Sequence, residues 1–397
     1  MRILMVNKYL YPKGGAETYM LKLGAKLEEM GHEVQYFGMF DRQNVVNNKL
    51  SAYTDHKDFH KLSWDYLTYP LKIVYSRSAR KELRRLLNAF KPDVVHTNNI
   101  NFQITPSILY EIKRDNIPII HTAHDPQWVC PNHTLTNPRT MKNCTECLDG
   151  HFFGCIKNRC IHSSLIRSII GTAEACLYRN LHTYRLADKI ICPSRFMEKM
   201  LSHNPDIKGR TEVVYNFIDK KISNAEKTGH YALYFGRYSA EKGIKTLLKA
   251  ASELPDIHFV FAGSGDLEEE IDKVPNIKNV GFKRGQELDD LIAGADFSIL
   301  PSEWAENCPF SVMESQSLNT PVIGADIGGI PELIEDGKNG LLFKSGSVDD
   351  LKEKIKYLNE NEAVRQNLSE NCKNIKYDTI DRYAEKMLLI YKESVEG

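Results

Sequence analysis

Two glutamates eight positions apart, Glu306 and Glu314, follow the apolar run from Phe297 to Leu300. That run reads as a buried parallel strand closed by Pro301 and Ser302. A helix is expected from about Phe310 and a second short strand over Pro321 to Gly324. In an open parallel sheet a ligand lies outside the carboxyl ends of the strands, where helix N-termini carry partial positive charge. A carboxylate at that edge can accept hydrogen bonds from both hydroxyls of a vicinal diol, as in a ribose or a hexose. An ordinary exposed helix acid would look the same at Glu314 taken alone. Upstream, Gly236-Arg237-Tyr238-Ser239-Ala240-Glu241-Lys242-Gly243 follows another strand signal. Arg237 can fork onto phosphate oxygens, Lys242 adds a point charge, and the next helix adds its positive end. Solvated surface charge is the competing account of that loop. With two acids after a later strand of the same sheet, phosphate binding is the better one.

Three other groups could do chemistry. His121 and His124 stand at the end of the strand expected over Ile117 to His121, placed for a ligand or for a hydrogen-bonded pair supporting the sheet. Gly14-Gly15 opens a helix after the strand Arg2 to Val6 and lets a ligand approach the backbone. The pair does not match G-x-G-x-x-G, which counts against a nicotinamide cofactor. Five of the nine cysteines, Cys130, Cys144, Cys147, Cys155 and Cys160, fall within 31 residues rich in turn formers. In a reducing compartment such a set holds structural zinc more often than a disulfide. Cys130, Cys144, Cys147 and Cys160 are the expected ligands, with His133, His151 and His162 as substitutes and free buried thiols as the alternative.

The elements that must position these groups alternate strand and helix in both halves, which predicts doubly wound parallel sheets. Strands are expected at Arg2–Val6, Glu33–Phe37, Asp93–His96, Asp188–Cys192 and Glu212–Tyr215. A second series begins with Tyr231–Phe235, a helix over Glu241–Leu254 and the strand Ile257–Ala262, then runs through Ile277–Phe282 to Phe297. Residues 219–230 are polar, lack periodicity and read as a linker.

The 397 residues suffice for two domains with ample cores. The formal charge of zero is divided unevenly. Residues 1–218 carry 30 basic and 20 acidic side chains, a net +10, and residues 219–397 carry 22 and 32, a net −10. A basic first half suggests an anionic partner such as phosphate groups or a membrane surface. Between Tyr53 and Leu87, Trp64, Tyr66 and Tyr69 mix with lysines and arginines; the stretch could rest on an anionic leaflet or form a core helix with a solvated basic face. No apolar run approaches the roughly 18 residues of a spanning helix, and the first residues are too short for a signal peptide. A cytoplasmic protein, peripheral at most on the inner membrane face, is expected.

The pieces together resemble the retaining family 4 glycosyltransferases. The resemblance rests on GGAE at 14–17, HD at 124–125, CPSRF at 192–196, GRYSAEKG at 236–243, AGSGD at 262–266, VGF at 280–282, E-x7-E from Glu306 to Glu314, and PVIGADIGGIPE at 321–332. It covers essentially the whole chain. It implies the GT-B architecture: two Rossmann-like, doubly wound α/β domains with an interdomain cleft, and a last helix, from Tyr377, crossing back to the first domain. The domains would be 1–218 (with the cysteine insert at 126–162), completed by 377–397, and 231–376. The implied reaction moves a sugar from a nucleotide-sugar, a UDP-sugar by preference, to a glycan or lipid-linked acceptor in surface polysaccharide or glycolipid synthesis. The implied catalytic group is His124, Arg237, Lys242 and Glu306. The donor would be lined by Gly14, Gly15, Gly236, Arg237, Lys242, Glu306, Asn307, Cys308, Phe310, Ser311 and Glu314. No catalytic metal and no nucleic-acid partner are implied. The chain departs from the family's frequent E-G-F-G in reading Glu306-Asn307-Cys308-Pro309, and Pro309 has no N–H to offer a sugar. The cysteine insert resembles one branch of the family. Against this stand an epimerase or phosphorylase of the same architecture, and a non-catalytic zinc-stabilised interaction module.

Overall fold

A computed structural model describes residues 1–54, 74–219 and 230–397. Much of the aromatic, basic stretch and nearly all of the expected linker lie outside the described residues. The chain divides into two compact units, Met1–Tyr215 with Ile380–Gly397, and Asn216–Thr379.

The first unit is built on a six-stranded parallel sheet in the order Glu33–Phe37, Arg2–Val6, Val94–Thr97, Ile119–Thr122, Lys189–Cys192, Thr211–Val213. Ile3, Leu4, Met5 and Val6 are fully buried, as a strand covered on both faces requires. The helix Gly15–Glu29 turns Tyr19, Leu23 and Leu27 inward, and a Cβ on Gly24 would meet the Tyr36 ring. The strand expected from Ile117 starts instead at Ile119, after Pro118, which has no N–H for the ladder.

The last helix runs Ile380–Glu396, three residues later than expected, and packs on the first unit's sheet and first helix. Tyr383 Oη lies 2.9 Å from Tyr19 Oη, Tyr391 Oη 2.5 Å from His96 Nδ1, and Asp381 pairs with Lys26 at 2.8 Å.

The second unit carries another parallel sheet, in the order Ile277–Asn279, Phe259–Ser264, Ala232–Arg237, Phe297–Leu300, Val322–Ala325, Gly340–Phe343. The two plans differ. In the second sheet the chain builds outward twice from Ala232–Arg237 before crossing to Phe297–Leu300, so its switch point lies between those two strands. Residues 216–218 belong to this unit: Asn216 Nδ2 donates to the Cys308 carbonyl at 3.0 Å, Phe217 packs edge-on against Phe310, and Ile218 N donates to the Asp378 carbonyl. The boundary therefore falls at Tyr215, ahead of the polar residues that suggested it.

Candidate functional site

The loop after Ala232–Arg237 and the loop after Phe297–Leu300 meet at that switch point. A helix was expected to run unbroken from Glu241. The structure instead has a 3-10 turn, Ala240–Lys242, and a helix starting at Ile244. Gly243 separates them at φ +73°, and a Cβ there would stand 1.8 Å from the Pro301 carbonyl oxygen. Only glycine accepts that contact and that backbone without strain. Two further bonds clamp the loops: Glu303 N donates to the Glu241 carbonyl at 3.0 Å, and Thr246 Oγ1 to Glu303 Oε1 at 2.6 Å. On the other flank, Gly263 and Gly265 lie so close to Gly236 and Tyr238 that any side chain would strike their backbone. The AGSGD residues thus shape the phosphate-type loop from behind.

This clamp brings Lys242 and Glu306 into contact, Nζ to Oε1 at 2.5 Å. Ser302 Oγ and Trp304 Nε1 each donate to the same Oε1 at 2.8 Å, and the Lys242 ammonium stands 4.8 Å from the Trp304 ring centroid. Burial alone would raise the Glu306 carboxyl; Lys242 and the three donated hydrogen bonds outweigh it and hold the group below its ordinary range. Among the described residues, the second oxygen, Oε2, accepts nothing. Gly328 and Gly329 fix the main chain here: Gly329 N donates to the Glu306 carbonyl at 2.7 Å, and a Cβ on Gly328 would stand 2.3 Å from that oxygen. The result is an ionised carboxylate with one oxygen saturated and one open.

The other expected residues of this unit divide. Arg237 is exposed and has no side-chain partner among the described residues, so its fork is available to an anion. Glu314 is half-buried on the second turn of the helix Phe310–Ser317. Asn307, Phe310 and Ser311 are likewise half-buried at the start of that helix, and Pro309 is its cap residue. Cys308 faces inward: its thiol lies 3.9 Å from Met313 Sδ, burial pushes it up to about 12, and its carbonyl accepts from Asn216. Any ligand contact at Cys308 would have to come from elsewhere than that thiol.

In the first unit Gly14 caps the helix Gly15–Glu29 in extended conformation, and Gly15 is exposed. The loop before them is tied by Asn7, whose Nδ2 donates to the Tyr9 carbonyl and to Glu17 Oε1, and whose Oδ1 accepts from Asn99 N. Glu17, the acid of GGAE, thus holds the glycine loop. His124 Nε2 donates to Asn98 Oδ1 at 2.9 Å, and its ring meets Tyr19 edge-on at 4.9 Å. Burial pushes His124 and His96 each down to about 3, so both are neutral near pH 7. His121 turns away from the edge, bonding Thr97 Oγ1 and stacking on Trp128 at 3.9 Å. His121 is thus buried within the sheet, whereas His124 is half-buried just past the strand end. Asn98, one residue past its strand, was not singled out in the sequence; Asn98-Asn99 after a strand was the available signal.

The insert has little regular structure beyond the paired strands Thr136–Asn137 and Lys142–Asn143 and the short helix Phe153–Lys157. Cys130, Cys144, Cys147, Cys155 and Cys160 line one small cavity. Cys155, expected to be the spare thiol, lines that cavity together with the four expected ligands. Four thiols suit zinc chemically, yet among the described residues no three His, Cys, Asp or Glu side chains are arranged to hold an ion.

Residues 13–221 match the family described as Glycosyltransferase Family 4, and residues 216–375 that described as Glycosyl transferases group 1. An uncharacterised glycosyltransferase of Methanocaldococcus jannaschii is 33% identical over 47% of this chain and 54% of its own length. The sulfoquinovosyl transferase of Arabidopsis thaliana is 30% identical over 76% of this chain and 56% of its own. The matches thus span little more than half the length of these two relatives. Among solved structures, Anabaena HepE in complex with UDP superposes with a TM-score of 0.69 at 17% identity, over 98% of this chain and 99% of that one. The fold is GT-B, with two Rossmann-like α/β units.

Proposed function

We propose, from the premise that this chain belongs to glycosyltransferase family 4, that it transfers a sugar from a nucleotide-sugar with retention of anomeric configuration. The observation that carries this reading is the Lys242–Glu306 pair at the switch point of the second sheet, with the exposed Arg237 closing the strand that leads into the Lys242 loop. Arg237 and Lys242 would hold the diphosphate and stabilise the charge that develops as its bond to the anomeric carbon breaks. Glu306 Oε2 would accept from a hydroxyl of the donor sugar, and Glu314 from the ribose. Gly14, Gly15 and Gly236 would let the diphosphate approach the backbone. His124, neutral and protonated on Nε2, would meet the sugar as a hydrogen-bonding group rather than as a cation. The departing phosphate would take the acceptor's proton, so the reading invokes neither a separate general base nor a catalytic metal.

A UDP-sugar is the preferred donor; the HepE complex contains UDP, and the Arabidopsis relative is a sulfoquinovosyl transferase. The acceptor would be a glycan or a lipid-linked glycan on the cytoplasmic side of a membrane. Peripheral contact with an anionic leaflet belongs to this reading; no helix among the described residues is long and apolar enough to cross a membrane. Structural zinc held by Cys130, Cys144, Cys147 and Cys160 also remains a proposal, supported by the convergence of those thiols on one cavity. Near-stoichiometric zinc in protein purified without chelator supports it, and trace amounts end it. The epimerase, phosphorylase and interaction-module readings gain no observation of their own.

The test of the transferase reading is a thermal-shift screen against UDP-, GDP- and ADP-sugars, since a ligand bound to the native state raises the melting temperature by mass action. A response to a UDP-sugar that Arg237→Ala removes is expected. No response to any nucleotide-sugar would refute it.

A further inference from the structure

The helix Leu165–Asn180 of the first unit is built inside out. Its buried side includes four polar side chains, Ser168, Thr172, Glu174 and Tyr178, beside Gly171 and Ala175. Each of the four has a partner that fixes the rotation of the helix. Ser168 Oγ donates to the Ser164 carbonyl at 2.8 Å and accepts from Ile161 N at 3.1 Å, and Thr172 Oγ1 donates to the Phe152 carbonyl at 3.3 Å. Glu174 Oε1 accepts from Phe102 N at 3.1 Å and from Asn101 Nδ2 at 3.4 Å, and Tyr178 Oη donates to the Val74 carbonyl at 2.6 Å. A Cβ on Gly171 would stand 2.2 Å from Ile161 Cδ1, so the helix also lies close there. Turning it about its axis would orphan these buried groups, and its apolar residues therefore face outward.

Those residues are Leu165, Ile166, Ile169 and Ala173, all exposed, with Ile170 half-buried among them. Spacings of three and four place them in one stripe along the helix. The charged residues lie elsewhere on it: Glu174 is buried, and Arg167 and Arg179 are half-buried. Phe153 extends the stripe, because the Thr172 bond to the Phe152 carbonyl holds the short helix Phe153–Lys157 alongside. Phe153 is 76% exposed, Ile166 70%, Ile169 46% and Leu165 44%. Single exposed apolar side chains are ordinary, but these four together present roughly 450 Å² of adjoining apolar surface, a size that marks an interaction site.

The flanking charges say what fits there. Exposed Lys157 and Arg159 stand ahead of the helix. At its carboxyl end lies the exposed Asp149, next to Gly150, whose Cβ would come within 3.7 Å of Arg179 Nε. An antiparallel pair of such helices brings the bases of each copy to the acid of the other and opposes the two helix dipoles favourably. A parallel pair would instead set Arg159 against Arg159. About a dyad between Ile169 and Ile170, Ile166 meets Ala173, a large side chain over a small one. Paired in this way, the stripe and Phe153 remove about 1,000 Å² in total from water, the lower end of specific interfaces.

We propose that this stripe is a homodimer interface, in which the helix Leu165–Asn180 pairs antiparallel with the same helix of a second copy. The interface is isologous, so one patch serves both copies and the assembly closes at two. An area of that size corresponds to a dimer dissociating on the order of 10 µM. Its residues belong to the first unit and have no role in the donor reading, so either can fail without the other.

The test is sedimentation equilibrium of the full chain between about 1 and 100 µM. The native chain is expected to pass from the 45.4 kDa monomer to a species of twice that mass. Ile166→Glu and Ala173→Lys each place a charge from both copies in the seam, and each alone should raise the dissociation constant about a hundredfold. Both positions are exposed, so the melting temperature should stay as it is. An equimolar mixture of the two variants should associate to within about tenfold of the native chain, because the introduced carboxylate then meets the introduced ammonium across the dyad. A native chain that stays monomeric throughout, whether or not it floats with phosphatidylcholine vesicles, would overturn the proposal. So would single variants that associate like the native chain, or a mixture no better than its components.

Discussion

Replacing Lys242 with alanine is the perturbation whose outcome follows most closely from the geometry. Glu306 is 12% exposed and Lys242 22% exposed, so the substitution strands a carboxylate in a mostly dry place. Orphaning one member of a fully buried pair costs about 3–5 kcal/mol. Here Ser302 and Trp304 still donate to Glu306, and water can reach the vacated side, so about 2 kcal/mol is expected near pH 7. The pH dependence gives the sharper test. In the native chain Glu306 is held below its ordinary range, so its contribution is present above the unfolded carboxylate's pKa, 4.5, and fades as the pH falls through the native value. Without Lys242, burial dominates and raises the group. The variant then binds a proton more readily folded than unfolded, and its deficit shrinks as the pH falls from 7 towards 4. Urea unfolding followed by tryptophan fluorescence, at several pH values, reads both quantities, because Trp304 donates to the carboxylate itself. A deficit below about 0.5 kcal/mol, or one of constant size across that range, would refute the reasoning.

Three more outcomes are expected. Arg237→Ala, at an exposed side chain with no partner among the described residues, should change stability by no more than about 0.5 kcal/mol in urea unfolding while removing the nucleotide-sugar response. Gly243→Ala should cost more than about 2 kcal/mol or detach the two loops, visible as lost thermal response to nucleotide-sugar, because both its φ of +73° and the Pro301 oxygen exclude a methyl group. His96 and His124, each lowered to about 3, should show no imidazole titration by NMR between pH 8 and 5. Since the unfolded chain binds protons at these groups from about pH 6.5 downward, each should remove up to about 1.4 kcal/mol of stability per pH unit below that point.

The parallel α/β plan was legible because doubly covered strands such as Arg2–Val6 and Phe297–Leu300 are continuous apolar runs bounded by turn residues. Lys242 and Glu306 were legible as residues of one sheet edge for a simpler reason, since both lie just past strand ends, where ligands and helix N-termini converge; their direct ion pair was not. Strand order was not. Glycine loops and apolar runs say that strands alternate with helices but not how many strands the chain lays on one side of the first before crossing to the other, and the two sheets differ in that respect. The break at Gly243 was missed because helical periodicity continues across it; its cause is the Pro301 carbonyl, a contact distant in sequence. Cys308 looked like a site residue by its place in the motif, whereas the turn into Pro309 points its thiol at Met313. The strand Gly340–Phe343 is a four-residue run that only pairing with Val322–Ala325 identifies.

Calorimetric titration of UDP and of the matching UDP-sugar into the native chain, Arg237→Ala and Glu306→Gln tests the donor grip most directly. Arg237→Ala should lose affinity for both ligands, whereas Glu306→Gln should keep UDP and lose the added affinity that the sugar confers. Equal binding of the UDP-sugar by Glu306→Gln and the native chain would contradict the account.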